Sequence, residues 1–203
     1  MKLYYSPGAC SMASRISLYE IDKPAEFVKT DIRAKRTEDG RDFREVNPLG
    51  YVPALELDGG EVLTENGAIL PYIASLMPGA IAPDDDALSE AHLNQALGFL
   101  GSELHKAFGP FFGNLEGEAR EAAMRKLESR LDFVEQYLSD GREYWLGDRF
   151  SVADAYAFVV LSWGDGVGVS YDSRPNIARY LERIGRRESV QRALTDEGLL
   201  QAA

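Results

Sequence analysis

Cys10 is the single cysteine of the chain, and it closes the turn Ser6-Pro7-Gly8-Ala9 with Ser11 next in line to cap a helix. A thiol placed just before a helix N-terminus can ionise well below its free value of about 8.5, and the thiolate is the nucleophilic form. Cys10-Ser11-Met12-Ala13 holds no second cysteine, so a two-thiol redox cycle and an intrachain disulfide are both excluded. The plainer alternative is an inert buried thiol packed as a small apolar residue.

A second set of groups would suit the ends and edge of a small peptide. Val52-Pro53 precedes the alternating run Ala54-Leu55-Glu56-Leu57, and Pro53 cannot donate to a strand ladder, so it belongs at a strand start or bend. Val52 is then extended or in a turn, with its backbone N–H and C=O available to an extended peptide. Thr64-Glu65-Asn66 opens a helix through Ala68 to Ala74, whose first amides form an anion site. Glu65 beside that helix end can pair with an ammonium group while the amides take a carboxylate, the two charges of an amino-acid head. Further on, His105 follows Ser102 by three positions and Gly98 by seven, which places all three on one helix face. A lone histidine there is otherwise an ordinary surface or core residue, and His92, with no motif around it, reads as exposed.

The elements that position these groups follow from the pattern. Lys2-Leu3-Tyr4-Tyr5 is a strand, Met12 to Tyr19 a helix ended by Asp22-Lys23-Pro24, and Glu26 to Thr30 a second strand. Arg33 to Glu45 suits a polar loop or helix. Asp58-Gly59-Gly60 supplies the positive-φ positions of a hairpin that returns as Glu61-Val62-Leu63. The order β-α-β-loop-β-β-α describes a small open-sheet domain over residues 1–77. Residues 78–86, rich in Pro, Gly and Asp, read as a linker. Beyond it, residues 87–203 are all helical in pattern: Ala87 to Phe112, Glu118 to Leu138, Val152 to Trp163, Asn176 to Arg186 and Ser189 to Leu200. Ser151-Val152-Ala153-Asp154 is a capping box, and the helix it opens is apolar all round, the buried and architectural centre of the helical domain. Phe108, Phe111 and Phe112 read as core, with a lining role in the acceptor site open for some of them.

Composition narrows the function classes. A net charge of −11 argues against a nucleic-acid partner, since that binding needs basic surface; Arg33-Lys35-Arg36 is a local exception. The longest apolar run, Ala153 to Trp163, is too short to span a bilayer, which takes about 20 residues. The first residues go straight into strand-like sequence with no apolar signal region, so a cytoplasmic location without membrane attachment is expected.

Several separated motifs together resemble one family, the cytosolic glutathione S-transferases, and within it the bacterial beta class. These are Met1 to Ser11, Asn47-Pro48-Leu49-Gly50-Tyr51-Val52-Pro53-Ala54-Leu55, Leu63-Thr64-Glu65, Glu103-Leu104-His105-Lys106 and Leu146 to Asp154. The resemblance runs nearly end to end. It implies a thioredoxin-like N-terminal domain, an all-helical C-terminal domain and a homodimer. It also implies glutathione as co-substrate, with no tightly bound cofactor and no metal. Glutathione would be held by Cys10, Lys35, the Val52–Pro53 cis-proline edge, Glu65 and Asn66. A helix of the partner subunit carrying Ser102, His105 and Lys106 would close the site. Cys10 and His105 are the expected catalytic residues. In this placement the Val52 edge pairs with the cysteinyl backbone, Lys35 meets the glycyl carboxylate, and Glu65 with the helix start at Asn66 holds the γ-glutamyl head.

The sequence departs from the family pattern at Gly98, where an asparagine is usual, at Asn66, where glycine is usual, and across Met12-Ala13-Ser14-Arg15. The expected activity is conjugation of glutathione to an electrophilic, hydrophobic or aromatic small molecule. Two alternatives stay open: thiol-disulfide exchange or reductive dehalogenation through Cys10, and non-catalytic carriage of hydrophobic ligands.

Overall fold

A computed structural model describes residues 1–82, 84 and 86–200. Pro83 and Asp85 of the expected linker and the last three residues of the expected helical domain lie outside the described residues. The N-terminal part is a five-stranded sheet of order β3-β2-β1-β4-β5. Its centre is β1 (Lys2–Tyr5), which is buried at Leu3, Tyr4 and Tyr5 because strands flank it on both sides. The helix α1 (Met12–Glu20) carries the chain to β2 (Glu26–Asp31), parallel to β1 with Tyr4 opposite Val28. β4 (Ala54–Glu56) runs antiparallel to β1, and β5 (Val62–Thr64) returns beside it. The hairpin is closed by Leu57 N–H to Glu61 O and Gly60 N–H to Leu57 O, both 2.8 Å. Of the glycines in that turn only Gly60 has a positive φ, +85°. α2 (Asn66–Ser75) completes the thioredoxin-like unit.

The stretch expected as a polar loop or helix holds a strand instead. β3 (Arg36–Thr37) pairs antiparallel with β2, setting a buried Thr37 against Thr30, and a 3-10 turn at Phe43–Glu45 drops Phe43 onto Tyr4 with ring centroids 5.5 Å apart. Two residues of strand carry no readable periodicity, so tertiary pairing decides this segment.

The second part is helical: α3 (Ala87–Phe99), α4 (His105–Phe108), α5 (Gly117–Tyr137), α6 (Val152–Ser162), α7 (Gly164–Val167), α8 (Pro175–Gly185) and α9 (Glu188–Asp196). Asp86 caps α3 by accepting from the N–H groups of Leu88 and Ser89. The single helix expected over Ala87 to Phe112 is broken into pieces. Leu100–Leu104 forms a π-helical turn between α3 and α4, and Gly109–Phe112, with Pro110 near its start, is a 3-10 turn. From Val152 to Leu161 every residue of α6 is buried, as the all-apolar pattern requires. α6 packs on α1 and α2, so the sheet domain and the helical domain share one continuous hydrophobic core.

The capping box at the start of α6 is present in full. Asp154 is completely buried and accepts four hydrogen bonds: from Ser151 N–H (2.8 Å), Ser151 Oγ (2.9 Å), Trp145 N–H (2.6 Å) and Tyr180 OH (2.8 Å). Burial pushes its carboxyl up to about 6 while those donors pull it back, so it is ionised at neutral pH.

Candidate active site in the interdomain cleft

A cavity of about 1060 Å³ opens between the two parts of the chain. Its N-terminal wall carries Cys10, Val52, Pro53, Glu65 and Asn66, and its C-terminal wall carries Ser102, His105 and Lys106. The third wall is aromatic: Phe111, Phe112, Tyr156 and Trp163.

Cys10 sits at the start of the segment that becomes α1. Its thiol donates to the Val52 carbonyl at 3.3 Å. Burial pushes the thiol up to about 12; its own amide opposes this, Glu65 adds to it, and the Ser11 amide and Lys106 oppose it. The depressed thiol expected from the helix start is therefore corrected. The two amides do aim at the sulfur, but desolvation outweighs them, and at neutral pH Cys10 is a protonated donor. Ser11 is corrected as well: it makes no side-chain cap, and its hydroxyl instead accepts from Ser6 N–H (3.2 Å) and donates to Ser6 O (3.4 Å).

The Val52–Pro53 bond is cis. Asn47 donates through Nδ2 to the Tyr51 carbonyl at 2.7 Å and steadies the segment that leads into it. Lys35 lies beside the cavity rather than on its wall. Its Nζ donates to the Gly50 carbonyl at 2.8 Å and stands 4.8 Å from the centre of the Tyr51 ring. Lys35 and Glu65 have φ of +56° and +69°, in a region that non-glycine residues seldom occupy. At Glu65 this conformation sets an exposed carboxylate at the mouth of α2, next to that helix's first amides.

Asn66 is buried and turned inward. Its Oδ1 accepts from Ser14 Oγ at 3.2 Å and its Nδ2 donates to the Cys10 carbonyl at 3.0 Å, so the side chain ties the start of α2 to α1 and the Cys10 segment. The family's usual glycine would leave this tie unmade.

Across the cleft, Ser102 donates to the Gly98 carbonyl at 2.8 Å, and Gly98 and Ser102 share the wall with His105 as their spacing requires. His105 Nδ1 is 2.8 Å from Tyr156 OH. Burial, with Lys106 alongside, lowers the imidazole to about 4, so His105 is neutral at physiological pH. Tyr156 is held protonated: burial raises its phenol, with Cys10 and Glu65 adding and the Asn66 amide opposing. Ser102, His105 and Lys106, expected to close a partner's site, line the cavity of their own chain. α3 packs on α2 of the same chain, and the π-helical turn packs on α6, which brings these residues to the cleft that holds their own chain's Cys10.

Sequence reasoning missed two contributors. α6 is architectural, yet its Tyr156 lines the cleft and touches His105. Trp163, just past the end of α6, stacks edge-on with His105 (4.8 Å between centroids), Phe108 (5.7 Å) and Phe112 (5.1 Å). A tyrosine and a tryptophan in an otherwise apolar run were the available signal, because buried hydroxyl and indole N–H groups need partners. Of the three phenylalanines read as core, Phe108 is fully buried, whereas Phe111 and Phe112 line the cavity. His92 is exposed, as read.

A thioredoxin-like sheet and a helical bundle that meet at one thiol-bearing cleft define a two-domain architecture with its chemistry at the seam. Comparison with known proteins is specific. The model of the glutathione S-transferase N-terminal domain matches residues 1–75, and that of the C-terminal domain residues 117–183. Glutathione S-transferase GstA of Escherichia coli O157:H7 is 42% identical, over 98% of this chain and 100% of that one. Glutathione S-transferase GST-4.5 of Xanthomonas campestris pv. campestris is 36% identical over 98% and 100%. A bacterial beta class glutathione S-transferase of Sphingomonas chungbukensis superposes with a TM-score of 0.94 at 46% identity, covering 98% and 100%. A sphingomonad glutathione S-transferase complexed with glutathione gives 0.94 at 45%, with the same coverage. The chain belongs to the glutathione S-transferase family, in its bacterial beta class. It is a glutathione transferase, with glutathione as co-substrate.

Proposed function

We propose that glutathione lies along the N-terminal wall of the cleft and is added through its own sulfur to an electrophilic, hydrophobic or aromatic acceptor seated against Phe111, Phe112 and Trp163. The observation that carries this reading is the cavity itself, in which the Val52 edge, the α2 N-terminus, Cys10, His105 and the aromatic wall are contiguous. In it the cysteinyl backbone pairs with Val52 beside Pro53, Glu65 takes the γ-glutamyl ammonium, and the amides of Asn66 and its neighbour take that group's carboxylate. Lys35, Lys106 and Ser102 serve the glycyl end and the rim. With the Cys10 thiol protonated, the groups offered to the ligand sulfur are neutral donors: the uncharged His105 and, once the Val52 carbonyl accepts the cysteinyl N–H instead, the Cys10 S–H. Donors fixed in a partly desolvated site favour the thiolate of the bound tripeptide without themselves reacting.

The division into residues 1–77 and 87–203, joined by 78–86, is our reading of where the sheet unit ends and the helices begin. We also infer a homodimer and a cytoplasmic location. Exposed Leu49, Tyr51, Leu88 and Phe133 support the dimer, although no partner is needed to bring His105 to the site. Among the described residues no helix is long and apolar enough to cross a membrane. Light scattering of a monomer with full activity would exclude the dimer.

The deciding experiment is a pair of initial-rate assays, with an aryl halide and with a small disulfide, on the wild type and Cys10→Ala. The conjugation reading expects most aryl-halide turnover to survive. Disulfide exchange, which needs the protein's own thiolate, is expected to vanish with any glutathione adduct seen by intact-protein mass spectrometry. Equal loss of both activities with glutathione still bound would make Cys10 a catalytic nucleophile in both. Glutathione binding with no turnover of any acceptor would point to a carrier.

A further inference from the structure

Gly8, two residues ahead of Cys10, is gripped on both sides of its backbone by residues far away in sequence. Its carbonyl accepts the Trp163 indole N–H at 2.8 Å, and its N–H donates to Glu197 Oε2 at 2.8 Å. Glu197 follows the last residue of α9, and its side chain is fully buried. Its other oxygen accepts from Arg15 Nε at 3.0 Å. Arg15, on α1, is itself only 3% exposed and is sandwiched by Tyr5 and Phe27, whose ring centres are 4.2 and 3.9 Å from the guanidinium carbon. Its Nη1 reaches Tyr19 OH at 3.1 Å, which in turn donates to Asp196 at 2.6 Å. Nothing in the conjugation chemistry uses this buried pair, and Nη2 of Arg15 is buried without a hydrogen-bond partner.

An ion pair with an unsatisfied donor is a poor way to hold two helices together, since an apolar pair of the same volume commonly does as well or better. What an apolar pair could not do is accept the Gly8 N–H. That amide belongs to the turn whose Ala9 N–H to Ser6 O bond (3.0 Å) and positive φ at Gly8 (+71°) set the next amides, those of Cys10 and Ser11, against the Cys10 sulfur.

We propose that Glu197, oriented by Arg15, is a positioning residue for the reaction: through the Gly8 N–H it fixes the turn that carries the sulfur-facing amides and the Cys10 thiol. The inference rests on the placement of the glutathione sulfur beside Cys10.

The test compares two double variants that both remove the ion pair and differ in one acceptor. In Arg15→Met/Glu197→Gln the Gln oxygen can still accept from Gly8; in Arg15→Met/Glu197→Leu nothing can. The first is expected to keep kcat for aryl-halide conjugation within about threefold of wild type. The second is expected to lose about tenfold to a hundredfold in kcat, the usual scale for a small displacement of positioning groups, with KM for the halide little changed. Iodoacetamide alkylation of Cys10 is expected to change in the second variant only. Equal kcat and equal alkylation rates in the two folded variants would overturn the proposal and leave the pair a structural one. Should either fail to fold, hydrogen exchange of the Gly8 amide in the wild type and in Glu197→Gln decides: the proposal expects strong protection in the wild type, and an unprotected Gly8 refutes it. Neither alkylation nor exchange depends on glutathione, so a misplaced glutathione site would show separately, as unchanged glutathione titrations in Glu65→Ala.

Discussion

Two sides of α6 hold two polar networks built from similar parts, and they differ in whether they close. At the N-terminal end, Asp154 meets four donors and every one of them is protein. Two residues on, about 200° around the helix, the Tyr156 hydroxyl meets His105, and the imidazole, the Cys10 thiol and the Val52 edge all face a cavity. A closed network specifies structure, because each buried group is satisfied only in the native arrangement. An open one leaves its remaining capacity to be met by whatever enters. The same helix therefore serves folding on one side and recognition on another, and the difference can be attacked from either.

The largest effect is expected in the closed network. Asp154→Ala strands the Trp145 N–H, the Ser151 N–H and the Tyr180 hydroxyl in the core, where each unmet group costs about 1–3 kcal/mol, so a loss of about 3–5 kcal/mol is expected after partial relaxation. Urea unfolding measures it, while glutathione affinity of the folded fraction stays unchanged. In the open network the order reverses. Lys35→Ala and Glu65→Ala are each expected to weaken glutathione binding about tenfold to a hundredfold, the loss of one charge-assisted bond of about 1.5–3 kcal/mol, with stability within about 0.5 kcal/mol of wild type. Titration calorimetry beside thermal melts separates the two. If Glu65→Ala destabilised the fold as Asp154→Ala does, the contrast between the networks would fail.

Tyr156→Phe sharpens the comparison further, since it keeps the packing and removes only the hydroxyl that orients His105. A drop of about threefold to tenfold in kcat is expected, in keeping with one neutral hydrogen bond of about 1 kcal/mol. The smallest effect concerns pH. The folded His105 titrates near 4, below the ordinary histidine value of about 6.5, so between those values the unfolded chain takes up a proton that the folded chain does not. Stability from this group is complete above about 6.5 and is lost as the pH falls toward 4. Urea midpoints at pH 7 and pH 5 should fall more for the wild type than for His105→Gln, and conjugation should show no histidine limb between those two values.

The succession of elements along the first domain, β3 apart, was legible because β1, α1, β2 and the β4–β5 hairpin each carry a strong local pattern, whereas the order of the strands within the sheet came from the structure. The capping box announced α6 for the same reason. The strand at Arg36–Thr37 was not legible, since two residues hold no period and only their pairing with Thr30 and Asp31 at the end of β2 defines it. At the site, Cys10, Val52, Glu65 and His105 were found through residue type and motif. Tyr156 and Trp163 were passed over because a helix apolar all round gives no sign of which side faces a cavity. Burial raises the Cys10 thiol against the sequence argument because the helix-start effect is local and visible, whereas desolvation is collective and depends on walls that come together only in the fold. The grip of Glu197 on Gly8 spans 189 positions and leaves no sequence signal of its own.

The π-helical turn at Leu100–Leu104 sets the rotational phase of α4. Each residue of an α-helix advances about 100° around the axis, so the wider turn hands α4 to the chain rotated from the course α3 would have kept. His105 is the first residue after that offset. Closing Leu100–Leu104 into regular α-helix with all five residues kept would leave the sequence unaltered and swing the imidazole by about 100°, off the wall it shares with Cys10, whereas removing one residue as the turn closes would leave its phase nearly unchanged. For this stretch of chain, length and hydrogen-bonding pattern are therefore coupled: a lineage that lost a single codon here would keep His105 on the wall by giving up the wider turn, whereas one that lost a codon within regular α3 would shift every later residue by about 100° around the axis.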